Sequence, residues 1–410
     1  MTKRLLVIGF VWPEPKSSAA GSRMLQLIDL FKKQNYDITF ATTTSKSDNA
    51  FDLTTIDVKT EHIKLNDSSF DIFIKTLNPD MVLFDRFMTE EQFGWRVREQ
   101  CPHATRLLDT EDFHGLRKGR AEAVKKNELF GLKHLYNDTT KREIASIYRC
   151  DMSFIISEVE MEMLTKDFGL DNSLLFYLPF LATMISDNDI EALPTFVSRH
   201  HFITIGNFLH EPNYDAVLYL KKNIWPLIKA QLPKVEMHVY GAYESQKIKQ
   251  LHNEKEGFLI KGYAKDADEV MQMSRVCLAP IRFGAGLKGK LIDAMKNGTP
   301  AVMSSIAAEG MFGECDLNGF IQDHPEKFAE KAVYLYLNEA LWLEKQNGGF
   351  NVINQRFNIA HFEIHFIEKI HWLKINLESH RLQNFTGQLL WYHSLQSTKY
   401  MSKWIEEKNK

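Results

Sequence analysis

The chain has 410 residues, of which 44% are hydrophobic, 12% aromatic and 25% charged, and its net charge is −3. This composition argues against intrinsic disorder, because so many apolar and aromatic side chains can form a sizeable core. The near-neutral charge gives no bulk attraction to nucleic acid, so we expect no nucleic-acid partner. The four cysteines form no CxxC pair, which argues against a disulfide framework or a zinc ribbon and is typical of the cytosol.

The N-terminus lacks the features of a secretory signal peptide. Its apolar run, residues 5–10, is shorter than the about 7–15 residues that such a region needs, and prolines follow at positions 13 and 15. No stretch of the sequence approaches the roughly 20 apolar residues of a membrane span. We therefore expect a cytoplasmic protein.

The first half of the chain alternates strand and helix patterns. Strands are predicted at residues 5–10, 37–41, 81–84, 106–109, 153–157 and 174–178. Helices are predicted between them at residues 24–31, 90–99, 119–147 and 160–167. Such βαβ units require a parallel sheet that helices cover on both faces.

A polar segment at residues 187–194 marks a domain boundary, and a second alternation follows it. Strands are predicted at residues 202–206, 235–240, 258–260, 276–280 and 301–303, with helices between them. We predict an α/β protein with two Rossmann-like, doubly wound domains, residues 1–182 and 195–375, and a C-terminal helical tail at residues 376–410. Ligands bind beyond the carboxyl ends of such strands, so the cleft between the domains is the expected site.

The most informative segment is a glycine loop that follows the predicted strand at residues 276–280. Gly284 and Gly286 let backbone N–H groups approach an anion, and the helix that follows adds about half a positive charge at its N-terminus. Arg282, Lys288 and Lys290 place cations around the same loop.

A carboxylate completes this pattern. Asp293 lies one helical turn beyond Lys290 and suits hydrogen bonds from ribose hydroxyls. The segment therefore predicts a site for a diphosphate and a ribose. The alternative is a loop whose glycines serve turn geometry and whose lysines are solvated.

The whole string resembles the donor-sugar site of GT-B-fold glycosyltransferases of family 4, also called group 1. Their pattern is similar to R-x-G-A-G-x-x-x-K-x-x-E-A-M-x-x-G-x-P-V-V, followed by A-x-E-G. The residues that carry the resemblance here are Arg282, Gly284, Ala285, Gly286, Lys290, Asp293, Ala294, Met295, Gly298, Pro300, Val302, Ala308, Glu309 and Gly310. The resemblance covers residues 202 to about 323, including Gly206 at the opening of the second domain, and extends more weakly to the first domain.

This resemblance implies a cytoplasmic hexosyltransferase-type enzyme of class EC 2.4, active in glycan biosynthesis. The second domain would bind the donor, a UDP- or GDP-linked sugar, and the first would face the acceptor, a glycan, a lipid-linked molecule or a protein. Transfer would usually retain the anomeric configuration, without an essential metal or a further cofactor. The resemblance also implies that the last helix crosses back to the first domain.

The family's site residues can be placed on this sequence. The amides of Gly284, Ala285, Gly286 and Leu287, together with Arg282 and Lys290, would hold the diphosphate, and Asp293 would hold the ribose. Gly206, Lys288 and Glu309 are further candidates for donor binding.

Two positions depart from the family's pattern. Many members carry two glutamates separated by seven residues, which here fall on Ala285 and Asp293, so the carboxylate that often contacts the donor sugar is absent. Many members also use an Arg and a Lys early in the second domain, where this chain offers Asn207 and His210.

The first domain contributes a polar loop at residues 109–117 after a predicted strand. Asp112 or His114 could orient the acceptor hydroxyl or take its proton, and we predict both as catalytic residues. Arg23 could help to position phosphate. The alternatives are a loop of helix caps and salt bridges, and an arginine on a helix surface.

Other functions compete with this interpretation. A metal-dependent GT-A transferase needs a D-x-D motif, which residues 187–189 and 266–268 match only in letters. The His200–His201 pair suggests surface residues more than a metal site. A GT-B nucleotide-sugar epimerase would share the donor site, and a non-catalytic nucleotide-sugar-binding or scaffold protein would keep the fold alone.

The C-terminal tail is rich in aromatic residues, including Trp391, Tyr392, Tyr400 and Trp404. One interpretation is a helix that packs on the first domain. The other is a docking surface for a lipid-linked acceptor, a partner or the inner face of a membrane.

Overall fold

The computed structural model describes residues 3–393 and 395–409. Met1 and Thr2 of the predicted first domain, and Ser394 and Lys410 of the predicted tail, lie outside the described residues. The first domain has a seven-stranded parallel sheet in the order β3-β2-β1-β4-β5-β6-β7. Its strands are β1 (Lys3–Gly9), β2 (Tyr36–Thr42), β3 (Lys59–His62), β4 (Met81–Asp85), β5 (Thr105–Asp109), β6 (Met152–Ile155) and β7 (Leu175–Tyr177).

The second domain has a six-stranded parallel sheet in the order β10-β9-β8-β11-β12-β13. Its strands are β8 (His200–Ile205), β9 (Met237–Tyr240), β10 (Phe258–Gly262), β11 (Ser274–Ala279), β12 (Ala301–Met303) and β13 (Gly319–Ile321). In both sheets the strand order reverses once, between β1 and β4 and between β8 and β11. The prediction of two doubly wound Rossmann-like domains is confirmed.

Helices cover both sheets. Those of the first domain are Ala19–Lys33, Ser69–Leu77, Arg86–Gln100, His114–Lys126, Leu132–Leu135, Asp138–Arg149 and Glu158–Lys166. Those of the second domain are Asp187–Glu191, Glu211–Tyr219, Trp225–Gln231, Gln246–Lys249, Ala267–Gln272, Gly289–Lys296, Ser305–Ala308, Pro325–Leu337 and Glu339–Val352. The chain ends in Ile359–Ile375, Leu377–Gln383, Phe385–His393 and Leu395–Lys408.

The central strands are buried on both faces, as in a parallel sheet that helices cover. All five residues of β4 and of β5 are buried. The edge strands β3 and β13 were not predicted, because neither contains a long buried apolar run. The four residues of β3 are polar and mostly exposed, and in β13 the apolar Phe320 and Ile321 stand between a glycine and a glutamine, so neither leaves a clear hydrophobic pattern in the sequence.

The chain returns to the first domain earlier than the sequence predicts. The backbone of Ala182 exchanges hydrogen bonds with the Phe357 carbonyl (2.7 Å) and the Ile359 amide (2.9 Å), which places the crossover there and not at residue 375. Phe366, in the helix that follows, is fully buried in the first domain's core, with its ring centroid 5.2 Å from that of Phe31. An amphipathic pattern gives a helix its apolar face but does not say which domain covers that face.

The tail packs against the back of the first domain. The Trp391 indole donates to the Arg149 carbonyl (3.0 Å), and Arg381 forms a two-pronged ion pair with Asp151. The crossing back that the resemblance implies is therefore present. Other tail side chains stay exposed, among them Phe385, Tyr392, Tyr400 and Trp404. The described residues contain no helix with both the length and the hydropathy of a membrane span.

Candidate active site

The glycine loop after β11 lies directly against the first domain. Gly286 has φ of +62°, a left-handed conformation that favours glycine, and a Cβ there would come within 2.8 Å of the Asp112 Cβ. Ala285 is buried within the first domain's hydrophobic core. The structure thus brings together the two loops that the sequence predicted separately, each beyond the carboxyl end of a parallel strand, β5 in the first domain and β11 in the second.

Two lysines lie beside this loop. Lys288 is buried and its Nζ donates to the Ala285 and Gly286 carbonyls (3.0 and 2.6 Å), while the partly buried Lys290 donates to Asn213 Oδ1 (3.0 Å). Burial lowers the pKa of each lysine to about 8. Among the described side chains, no carboxylate lies within ion-pair distance of either ammonium group. Desolvated cations without a counterion favour an anionic ligand.

Gly206 lies at the end of β8 and supports this arrangement through packing. A Cβ at Gly206 would lie 2.7 Å from the Asn213 side chain, which accepts the hydrogen bond from Lys290. In this structure Gly206 packs closely against Asn213. Asn213 lies 77 residues from Lys290, so the fold and not local spacing brings the two side chains together.

Asp293 lies on the helix Gly289–Lys296, one turn beyond Lys290. Burial and the nearby Asp268 raise its pKa to about 6. No described group donates a hydrogen bond to its carboxylate. This leaves the carboxylate available for the hydroxyl donors that the sequence assigned to it.

Arg282 has a partner already. Its Nε donates to Asp215 Oδ2 (2.9 Å), its Nη2 pairs with the other carboxylate oxygen, and the guanidinium lies 4.9 Å from the centre of the Tyr219 ring. The side chain is 40% exposed. In contrast to Lys288 and Lys290, it needs no further anion, and the structure supports its diphosphate role less than theirs.

Glu309 joins the two domains. Its carboxylate takes two hydrogen bonds from the first domain's Arg120 (2.6 and 2.7 Å), and Arg120 also donates to the Gly284 carbonyl (2.9 Å). In this conformation Glu309, which the sequence predicts as a donor-binding residue, forms an interdomain ion pair. A contact across 189 residues leaves no local pattern in the sequence.

Arg23 also differs from its prediction. It is 1% exposed, its Nε and Nη2 pair with Asp109 (2.7–3.1 Å), and its Nη1 donates to the Leu178 carbonyl (2.7 Å). With its donors directed at protein groups, the guanidinium ties the first helix to β5 and β7. It does not reach out to a phosphate.

His114 and Asp112 lie together at the mouth of the first domain. His114 Nδ1 is 3.0 Å from the Asp112 carbonyl, 3.1 Å from Asp112 Oδ1 and 3.2 Å from Glu143 Oε1. Glu143 also accepts from the amides of His114 (2.9 Å) and Gly115 (2.6 Å), and so caps the helix His114–Lys126. With Nδ1 held, Nε2 is the ring atom left to act as a base.

Asp112 is held as a charged group. Burial alone would raise its pKa, but the neighbouring cation Arg117, with smaller effects from His114 and His210, lowers it below its ordinary value. Arg117 pairs directly with its carboxylate. An ionised Asp112 suits the orientation of His114 better than proton transfer, so of the two predicted catalytic residues His114 is the better base.

Residues 199–338 match the family model described as glycosyl transferases group 1. The match lies within the second domain and includes the glycine loop and the helix Gly289–Lys296. No curated protein matches the chain.

Solved structures match over both domains and show the GT-B fold. Sucrose-phosphate synthase from Thermosynechococcus elongatus is 13% identical, with a TM-score of 0.67 over 90% of this chain and 99% of that one. Anabaena HepE in complex with UDP and glucose is 13% identical, with a TM-score of 0.64 over 90% and 100%. A mutant of S. aureus TarM in complex with Fondaparinux, alpha-GlcNAc-glycerol and UDP is 15% identical, with a TM-score of 0.57 over 74% of this chain; the chain spans 58% of its length.

The competing D-x-D motifs are helix caps in this GT-B protein. The Asp189 carboxylate accepts from the Ser186 amide (2.9 Å), and Asp266 accepts from the amides of Asp268 and Glu269 (2.9 and 3.1 Å). Each therefore serves the start of a short helix. Neither triplet lies in the glycine loop after β11 or in the first-domain loop at residues 109–117.

The histidine pair resolves into a different cluster. His201 stacks on His238 with ring centroids 3.8 Å apart, and His238 Nε2 lies 2.8 Å from Glu236. The three side chains lie at the amino-terminal ends of β8 and β9, whereas the glycine loop follows the carboxyl end of β11. One ligand atom of each of the three side chains lies within 4.8 Å of the others, so the spacing alone would allow a metal ion as well as ring packing.

Proposed function

We propose that this chain transfers a sugar from a nucleotide-diphosphate sugar to an acceptor hydroxyl. The single observation that carries the proposal is the pair of lysines, Lys288 and Lys290, held beside a glycine loop without a carboxylate counterion. Two phosphates would supply the missing negative charge. The leaving diphosphate gains charge as the glycosidic bond breaks, so fixed cations there would accelerate the reaction.

The nucleotide would lie along the same helix. Asp293 would accept hydrogen bonds from the ribose hydroxyls, and the N-terminus of Gly289–Lys296 would face the phosphates. We favour uridine over guanosine as the base, because the HepE and TarM structures are complexes with UDP. Since two lysines would do the work of charge neutralisation, we propose a reaction that needs neither a metal nor a further cofactor.

The acceptor would enter against the first domain. His114 would take the proton from the acceptor hydroxyl through Nε2, while Asp112 and Glu143 hold the other side of the ring. We propose that the hydroxyl oxygen bonds to the anomeric carbon on the face from which the diphosphate leaves with its electron pair, so that the anomeric configuration is retained. The acceptor would be a glycan, a lipid-linked molecule or a protein. Arg120 and Glu309 would keep the domains closed and exclude water, which would otherwise hydrolyse the donor.

We propose a cytoplasmic location with peripheral contact at the inner face of a membrane. The exposed Phe385, Tyr392, Tyr400 and Trp404 support it, since aromatic side chains favour the membrane interface. Flotation of the full chain with anionic vesicles tests this contact, and a protein that stays with the unbound fraction would contradict it.

A panel of nucleotide sugars tests the transferase proposal. Thermal unfolding with UDP, GDP and their hexose conjugates should reveal one nucleotide series that stabilises the fold, and that donor should release its nucleotide diphosphate when an acceptor panel is added. His114→Ala should then lower the rate of transfer by about 10²–10⁴-fold while donor binding stays. The matched control His103→Ala changes an exposed histidine and should transfer normally.

Release of an altered nucleotide sugar without an acceptor would overturn transfer in favour of epimerisation. Binding without any reaction over the acceptor panel would instead favour a non-catalytic protein.

A further inference from the structure

A buried carboxyl of the first domain lies on the glycine loop of the second. Glu160 is in the first turn of the helix Glu158–Lys166 and is 2% exposed. Its Oε1 accepts from the amide of Phe113 (3.0 Å) and from the amide of Gly286 (2.6 Å). One oxygen of Glu160 therefore joins the acceptor-side loop to the loop of the donor domain.

The second carboxyl oxygen of Glu160 makes no hydrogen bond to the described residues. Oε2 is buried and has no hydrogen-bond partner among the described residues. A buried polar atom without a partner loses its hydration and gains nothing in return, so a native structure usually completes it with water or a ligand. Burial, and next the negative charge of Asp112, raise the pKa of Glu160 to about 7.

The position of Glu160 indicates which part of a bound nucleotide sugar this side chain could contact. The phosphates have Lys288 and Lys290, and they would be repelled by a carboxylate. The ribose has Asp293, on the helix Gly289–Lys296. The loop itself carries no carboxylate, since residue 285 is alanine, and Glu160 meets the loop at the peptide that joins Ala285 to Gly286. A hydroxyl group is the donor part that a carboxyl can bind and that has no other partner here.

We infer that Glu160 binds a hydroxyl of the transferred sugar through Oε2, and so helps to select the sugar. This inference rests on the proposed function, because it assumes that the cleft holds a nucleotide sugar. It makes the sugar site a product of both domains: Gly286 and its loop come from the second and Glu160 from the first. Recognition of the sugar would then require the closed arrangement that Arg120 and Glu309 hold.

The substitution Glu160→Gln tests this contact. Glutamine keeps the size of the side chain and one carbonyl oxygen for Phe113 and Gly286, but it replaces the second oxygen by an NH₂ donor. By titration calorimetry, we expect UDP to bind the variant within about twofold of the wild type, while the tightest-binding UDP-hexose weakens about tenfold. The matched control is Glu162→Gln, which makes the same change on the exposed side of the same helix, where Glu162 pairs only with Lys166. It should bind both ligands as the wild type does.

Deoxy analogues of the same UDP-hexose identify the hydroxyl. Wild type should lose affinity for one of them, and that analogue should bind Glu160→Gln and wild type equally, because the contact is then absent from both. Equal weakening of UDP and UDP-hexose in Glu160→Gln would show a structural tie and would overturn the inference, as would unchanged binding of the UDP-hexose. If Glu160→Gln fails to fold, Glu160→Asp, which draws the carboxylate back, must show the same selective loss.

The failure of the proposed function would look different. Wild-type protein would then bind neither UDP nor any UDP- or GDP-hexose, whatever residue stands at position 160.

Discussion

The two walls of the cleft treat charge in opposite ways. On the first-domain wall, at and beyond the carboxyl end of β5, two aspartates are paired with arginines, Asp109 with Arg23 and Asp112 with Arg117, and Glu160 is the exception. Among the described residues of the second-domain wall, Arg282 is paired with Asp215, whereas Lys288 and Lys290 donate to neutral oxygens, and Asp293 receives no described hydrogen bond. Paired charges hold a structure in place, whereas desolvated charges without partners are stable only if a ligand completes them. The comparison therefore separates the residues that build the cleft from those that bind in it.

The largest effect should come from breaking a pair on the first wall. Arg23→Met leaves Asp109 buried without a partner, and we expect it to lower the free energy of unfolding by about 3–5 kcal/mol in urea denaturation. The control Arg142→Met breaks an exposed pair with Glu91 and should cost less than about 1 kcal/mol. An equally small cost at Arg23 would mean that the first wall is not held by its pairs.

On the second wall, the change should affect function and leave the fold intact. Lys290→Ala should lower kcat/KM for transfer by about 10²–10³-fold, because a cation is lost where the leaving diphosphate gains charge. Its unfolding free energy should fall little or rise, since a desolvated charge is removed. Lys296→Ala removes an exposed lysine from the same helix and should leave both quantities unchanged. A stability loss at Lys290 without an activity loss would place it among the structural residues.

Between the walls, Arg120 and Glu309 form the ion pair that closes the cleft. Arg120→Gln and Glu309→Gln should each raise the KM for the donor and increase the radius of gyration in small-angle scattering. The double variant should be no worse than either single one, with a coupling of about 0.5–3 kcal/mol. Additive effects on KM would show that the two side chains act separately, which would contradict an interdomain latch.

The smallest effect concerns pH and has opposite signs for binding and stability. Burial holds the pKa of Lys288 and Lys290 at about 8 in the folded chain, below the value of about 10.4 expected when unfolded. Between these values the unfolded state binds more protons, so these lysines add stability as pH rises. Nucleotide affinity should fall over the same window, because the lysines lose their charge. Calorimetry at pH 7 and pH 9 checks this, and an affinity that is equal at both pH values would refute it.

The sequence predicts which residues lie together within one segment, but it does not predict which distant residues the fold brings into contact. The positions of Gly286, Lys290 and Asp293 next to one another could be predicted because they lie within one strand-loop-helix segment, where spacing determines position; their binding of a donor stays a prediction. Glu160 and Arg120 could not be predicted, since their partners lie more than 100 residues away and only the closed fold brings them together. Arg23 was misplaced for a related reason: the sequence shows a charge near a glycine but not its partner Asp109, 86 residues further on.

The strained first-domain loops were also beyond sequence reasoning. Arg86 and Glu111 take left-handed φ values of 70° and 64° at the ends of neighbouring strands β4 and β5. Burial raises the pKa of Glu111 to about 8. Left-handed backbone conformations of non-glycine residues persist where the surrounding structure imposes them, often beside a functional site. Arginine and glutamate do not favour them, so the residue types did not predict them.

The proposed function depends above all on Lys288 and Lys290, which would bind the phosphates of a nucleotide. Calorimetric titration of UDP into the wild type and into the double variant Lys288→Gln/Lys290→Gln, at pH 7, tests it most directly. We predict saturable binding at one site in the wild type and at least a hundredfold weaker binding in a double variant that stays folded, the loss of two charge-assisted contacts at about 1.5–3 kcal/mol each. Equal binding of UDP by the two proteins would contradict the claim.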